Sequence, residues 1–256
     1  MHFLLSPAKT LDFERTLPPH AATRPQFVAQ SRQLIDVLQR KTPQDISDLM
    51  HLSPALAQLN VDRYRAWSTR FTEHNSRPAI WAFNGDVYEG LDAASLDEAE
   101  IEWAQRHVSI LSGLYGVLRP LDRMQAYRLE MGTALTTQEG RNLYEFWGDT
   151  LAAHLNRRVA KDESSVIVNL ASQEYFRAAD RRALRPRVIE CVFEDWKNDQ
   201  YKVISFFTKR ARGLMLRHAI QARLTSPEGL ESFHAEGYGM ARKVSTPDRL
   251  VFRRRV

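Results

Sequence analysis

The sequence is poor in the residues that would place it outside the cell or across a membrane. It holds a single cysteine, Cys191, in 256 residues. One thiol forms no intrachain disulfide, and no second ligand lies near it at a zinc spacing. Cys191 sits in the apolar run from Val188 to Phe193, which reads as a buried strand, so it is expected to be a small core residue. No stretch approaches the roughly 20 apolar residues of a membrane span. The N-terminus offers only Phe3-Leu4-Leu5 before Ser6-Pro7, with no basic segment ahead of it and too few apolar residues for an export signal. These absences lead to the expectation of a cytoplasmic protein with no membrane partner. Low-complexity runs and internal repeats are also missing. With 43% hydrophobic residues the chain can bury a sizeable core. No Pro/Gly/Ser linker divides it, so residues 1–256 are expected to form one domain.

What the chain has in excess is positive charge toward its C-terminal end. Residues 177–256 hold 18 Lys+Arg against nine Asp+Glu, which leaves 18 against 22 for the rest of the chain. A half of that sign favours polyanions through counterion release.

Helix signals are clear. Apolar residues recur at helical spacing from Pro25 to Arg40. Thr42-Pro43 and Ser53-Pro54 are each a capping residue followed by proline in a first turn, opening helices to Leu49 and to about Thr72. Further helices are expected over Leu96–Arg106, Leu143–Val159 and Phe206–Leu224. Short unalternating apolar runs read as strands: Met1–Leu5, Ala79–Phe83, Val108–Ser112 and Ser165–Asn169, then Val188–Phe193, Tyr201–Ser205 and Leu250–Phe252. Asn198-Asp199 marks a hairpin. The fold class expected is α+β, a mixed α/β single domain whose mixed sheet is flanked by helices.

Four of these strands run into small, polar, turn-forming residues. These are Ser6-Pro7-Ala8-Lys9-Thr10, Asn84-Gly85-Asp86, Gly113-Leu114-Tyr115-Gly116 and Asn169-Leu170-Ala171-Ser172. Ligands of parallel sheets bind beyond the carboxyl ends of the strands. The expectation is one crevice lined by Ser6, Lys9, Asn84, Asp86, Tyr115, Tyr127 and Ser172. In Tyr127-Arg128-Leu129-Glu130 the arginine and the carboxylate face one side if the segment is extended. With Asp122, Glu130 is a candidate acid–base group, the alternative being a structural ion pair.

Lys209, Arg210 and Arg212 open the late helix, with Arg217 further along. Phosphate is one way to relieve their mutual repulsion, a solvated helix face the other. Lys9, Arg119 and Arg128 join them as phosphate-binding candidates. The helices at residues 43–72 have the outline of a helix-hairpin-helix, without its glycine; a plain αα-hairpin fits as well. The eight histidines show no paired metal spacing. No zinc, haem or iron–sulfur signature, Walker A loop or dinucleotide fingerprint is present, so no metal or cofactor is expected. The sequence does not fix an oligomeric state.

Several blocks together resemble the signature blocks of the YaaA family. They are Ser6-Pro-Ala-Lys-Thr-Leu11, Phe83-Asn-Gly-Asp-Val-Tyr-Glu-Gly-Leu91, Ile110 to Asp122, Tyr127-Arg-Leu-Glu-Met131, Leu143-Tyr-Glu-Phe-Trp147, Asn169 to Tyr175, Lys209 to Met215 and Gly237-Tyr238. The resemblance spans nearly the whole chain in order. It implies a bacterial cytoplasmic protein of hydrogen-peroxide resistance, one that limits free iron and binds DNA through a helix-hairpin-helix and a basic cleft. It supplies no agreed catalytic residues. Two functions are therefore expected: a stress protein binding double-stranded DNA without strong sequence preference, or an enzyme acting on a nucleotide, nucleobase or damaged DNA. An iron-sequestering protein, which needs clustered ligands, is least favoured.

Overall fold

The computed structural model describes residues 1–17, 20–160 and 166–255. Its centre is a mixed sheet whose strands are, in chain order, β1 (His2–Leu5), β2 (Val108–Ser112), β3 (Gly116–Leu118), β4 (Val166–Asn169), β5 (Arg187–Lys197), β6 (Gln200–Lys202), β7 (Gly239–Met240) and β8 (Arg249–Arg254). They lie in the order β7-β8-β5-β4-β1-β2-β3, with β6 paired to β5. Strands β2, β1, β4, β5 and β8 are mutually parallel. Strands β3, β6 and β7 are antiparallel to their neighbours. Every residue of β1 and β2 is buried, as expected of apolar runs covered on both faces. Of the three polar side chains within them, His2 and Ser109 hydrogen-bond to each other at 2.8 Å and Ser112 bonds to the Tyr127 hydroxyl.

The strand read at Ser165–Asn169 begins at Val166, and Ser165 lies outside the described residues. Ala79–Phe83, expected as a strand, is instead a single helical turn, Ala79–Ala82. Its first two amides donate to the carbonyls of Asp122 and Pro120, so the run is buried without joining the sheet. Only Phe83–Asn84 is extended, and it pairs with Thr10–Leu11. The long helix expected over Leu143–Val159 is two, Leu143–Trp147 and Thr150–Val159, broken where Gly148 takes φ 45°. The helix from Pro54 stops at Ala66, and the strand expected over Tyr201–Ser205 shortens to β6 because Ser205 already opens the helix Ser205–Gln221. Asn198 and Asp199 both adopt left-handed backbone, φ 52° and 57°, the conformation that a two-residue hairpin requires.

The helices Pro43–Met50 and Pro54–Ala66 start at the expected caps. Thr42 and Asp45 form a reciprocal capping box, and the Ser53 hydroxyl accepts from the Leu56 amide. The left-handed residue in their connection is His51, not glycine. Ile46, Met50, Ala57, Val61 and Tyr64 seat the pair on the core. That is the arrangement of an αα-hairpin, and no feature of it adds support for the helix-hairpin-helix expectation.

Candidate functional site at the carboxyl edge of the sheet

Strands β1, β2 and β4 are adjacent and parallel, so the residues that follow them emerge at one edge. Two of these ends are tied directly. The Ser172 amide donates to Ser6 Oγ at 2.8 Å, and the two hydroxyl oxygens lie 3.4 Å apart. The Ser6 carbonyl accepts from the Tyr88 hydroxyl at 3.0 Å. This brings the Asp86–Leu91 helix against the first loop.

The end of β2 explains how Arg128 and Glu130 reach the same place. A Cβ on Gly113 would stand 2.3 Å from the Leu129 carbonyl oxygen. Only glycine lets the extended segment around Leu129 lie against that strand end. The Tyr64 hydroxyl donates to the Arg128 carbonyl, and Glu174 Oε1 accepts from the Gly132 amide at 2.9 Å. The backbone of residues 128–132 is thereby held on both sides.

Glu130 is the focus of the charges. Its Oε2 lies 2.7 Å from Lys9 Nζ, and its Oε1 accepts from Arg128 Nη2 at 3.1 Å and Nε at 3.3 Å. The Lys9 side chain is 62% exposed, whereas those of Arg128 and Glu130 are 19% and 23% exposed. The carboxylate is thus half-sunk, with one cation fixed beside it and one free to swing into solvent. Beneath them lie three buried tyrosines. Burial raises the pKa values of Tyr88, Tyr127 and Tyr175 above the usual phenol value; the nearby Tyr127 adds to the rise at Tyr88 and Tyr175, and Tyr115 and Tyr64 add to it at Tyr127. All three are therefore neutral hydroxyls. Tyr127 shares a 2.6 Å hydrogen bond with Ser112. A carboxylate, two cations and neutral hydroxyls at one strand edge can bind an anion and move a proton.

The structure gathers Ser6, Lys9, Tyr127, Arg128, Glu130 and Ser172 here. Asn84 flanks them, paired in register with Thr10, and it lines a neighbouring cavity of about 390 Å³ with Asp12, Arg15, Tyr88, Glu89 and Arg210. Asp86 opens the next helix. Tyr115 is fully buried, its hydroxyl accepting from Trp67 Nε1 and the Gln125 amide. Arg119 and Asp122 lie at the opposite edge, because β3 carries the chain back across the sheet. Asp122 is 1% exposed, and its two oxygens take up Thr23 Oγ1, the Arg119 amide and the Arg119 guanidinium.

The basic helix is largely compensated from within. Arg210 makes a two-nitrogen pair with Glu236, its closest contact 2.6 Å. Arg212 is turned into the protein, where burial lowers its pKa and the charge of Glu190 partly offsets that. Arg217 donates to the carbonyls of Leu91 and Asp92 at 3.0 Å each. Lys209 alone of the four is exposed. In the tail, Arg253 pairs with Glu194 and Arg254 with Asp195. Cys191 is buried, and burial pushes its thiol up to about 12. Among the described residues no group of three or more His, Cys, Asp or Glu side chains is placed to hold a metal ion. No helix of the described residues is long and apolar enough to cross a membrane.

Sequence reasoning did not single out Tyr88, Glu174 or Tyr175. Each lies inside a block that carries the family resemblance, but nothing local shows that Glu174 would reach back to Gly132. The family model described as peroxide stress protein YaaA matches residues 1–244. A UPF0246 protein of Paracidovorax citrulli is 62% identical over 256 residues, covering 100% of this chain and 99% of the relative. One of Bordetella petrii is 58% identical over 255 residues, covering 100% of both. One of Polaromonas naphthalenivorans is 61% identical over 254 residues, covering 99% of this chain and 98% of the relative. The chain belongs to the peroxide stress protein YaaA family.

Proposed function

We propose that this peroxide-stress protein works in the cytoplasm on a nucleotide, or on a base of nucleic acid drawn out of its stack, at the carboxyl edge of its sheet. The observation that carries this reading is the meeting of Lys9, Arg128 and Glu130 from segments that are distant in sequence, beside the Ser6–Ser172 contact. Lys9 and Arg128 supply charge for a phosphate. Glu130 supplies a proton acceptor, and the buried phenols supply neutral donors. Chemistry on a base requires that it leave the stack, and a half-sunk site at a sheet edge suits such a ligand.

The test is incubation of the protein with nucleotides and with short strands carrying oxidised bases, following products by chromatography. Glu130→Gln should lower turnover by roughly 10²–10⁴-fold while leaving ligand affinity within a few-fold. Unchanged turnover in that variant would remove Glu130 from the chemistry.

A second reading, DNA binding without catalysis that limits iron-driven damage, is favoured by the exposed cations Lys9 and Lys209. Its contacts would fall to these lysines more than to Arg210, Arg212 and Arg217, whose partners are internal. It predicts a shallow salt dependence, with a slope of about −0.9 per phosphate contacted. An affinity for duplex DNA that ignores Lys9→Ala and Lys209→Ala would refute it.

A further inference from the structure

The turn from β6 into the helix Ser205–Gln221 exposes three large apolar side chains close together. Val203 is 56% exposed, Phe206 58% and Phe207 39%, all within five residues. Scattered single apolar residues on a surface are ordinary, but a contiguous group marks an interaction site. The two phenyl rings lie 5.6 Å apart at 67°, and the Arg254 guanidinium sits 4.6 Å from the Phe207 ring, fixing it from below.

The charge around this patch has one dominant sign. Lys197, Lys202 and Lys209 make no ion pair with any described residue, whereas the nearby carboxylates Glu194 and Asp195 are taken up by Arg253 and Arg254. Asp199 in the hairpin turn is the one acidic side chain left among residues 196–209. Strand β5 is parallel to β1 and β4, so the hairpin and the start of the helix project at the carboxyl edge, where the Lys9–Glu130 cluster lies. Arg210, one residue beyond Lys209, lines the cavity that holds Asn84 and Tyr88.

We propose that Val203, Phe206 and Phe207, flanked by Lys197, Lys202 and Lys209, form a stacking platform for single-stranded nucleic acid leading to the carboxyl-edge site. The proposal rests on the reading of that site as one for a nucleotide or an unstacked base. Exposed aromatic faces beside unpaired lysines match an unpaired strand, which offers base faces and phosphates together. A duplex offers these side chains only its phosphates, because its base faces are covered.

The experiment is fluorescence anisotropy with a labelled oligothymidylate and a labelled duplex of equal length, run beside calorimetric titration of a nucleoside monophosphate. Phe206 is more than half exposed, so Phe206→Ala is expected to fold with an unchanged melting temperature. It should weaken oligothymidylate binding about tenfold, the loss of one stacked base, and leave monophosphate binding unchanged. Lys209→Glu should weaken the same complex and flatten its salt dependence. Unchanged single-strand affinity in both variants overturns the platform. If the monophosphate still binds in that case, the carboxyl-edge reading stands without it. Duplex binding equal to or tighter than single-strand binding overturns the assignment to an unpaired strand. Concentration-dependent self-association abolished by Phe206→Ala would assign the patch to a second copy of the chain instead.

Discussion

Replacing Gly213 by alanine should cost stability, although alanine is the better helix former. Gly213 lies on the helix Ser205–Gln221 and faces the helix Asp86–Leu91, which presents Gly90 in return. A Cβ at residue 213 would stand 1.9 Å from the Val87 carbonyl oxygen and 2.7 Å from the Leu91 nitrogen. A Cβ at residue 90 would stand 2.3 Å from the Arg210 carbonyl oxygen. These neighbours are backbone atoms and cannot turn aside as a side chain would. Ordinary contact begins near 3.4 Å, so the helices must part by more than 1 Å. Overpacking costs about 1–3 kcal/mol, and a clash this close with backbone atoms puts the cost at the upper end, against a gain of about 1 kcal/mol in helix propensity. The net loss should be about 2 kcal/mol, or a fall in melting temperature of about 4–8 °C for a chain of this size. Parting the helices also draws Tyr88 away from the Ser6 carbonyl, so ligand affinity at the carboxyl edge should fall with stability. Urea and thermal melts read the first effect and calorimetric titration the second. Gly90→Ala should behave alike, and the two changes together should cost less than their sum because one separation relieves both. A neutral or stabilised Gly213→Ala variant would refute the close crossing.

Arg254→Leu should lower stability by about 3–5 kcal/mol in urea melts, because among the described residues it leaves the buried Asp195 carboxylate with the Tyr238 hydroxyl as its side-chain donor. Cys191 should resist iodoacetamide in the native protein at pH 8 and react on unfolding, since burial holds its thiol near 12; reaction at the rate of a free thiol would contradict this. His154 is held down to about 4 by burial and by Arg158, Arg157, His2 and Arg119, in that order. Its neutral form is the one folding favours, so its contribution is fully present above about pH 6.5 and is lost as pH falls toward 4. His154→Gln should flatten stability over that window, as measured by melts at stepped pH.

The fold was legible where the signal is local. Thr42-Pro43 and Ser53-Pro54 open helices as their chemistry requires, and Asn198-Asp199 turn the hairpin. Ala79–Ala82 misled because an apolar run of that length is buried equally well as a helical turn, and only its bonds to Pro120 and Asp122 decide between them. The site was legible in part for the same reason. The strand-end loops showed where small polar residues gather, and extended backbone put Arg128 beside Glu130. Which loops converge depends on sheet order, and sheet order is a long-range property. Asp122 read as an acid–base candidate from its neighbours in sequence, yet β3 carries it to the far edge into the Arg119 pair. The cations of the helix read as free charge because Glu236, Glu190 and the Leu91 carbonyl are remote in sequence.

The central claim is that a phosphate-bearing nucleoside or an unstacked base sits at the carboxyl edge. The most direct measurement is a crystal structure of the protein soaked with a nucleoside monophosphate or a short single strand. Ligand density is expected between Lys9, Arg128 and Ser172, with Lys9 swung away from Glu130 toward a phosphate and the base or sugar within reach of the Glu130 carboxylate. Density confined to the opposite edge beside Arg119, or an undisturbed Lys9–Glu130 pair at saturating ligand, would contradict it.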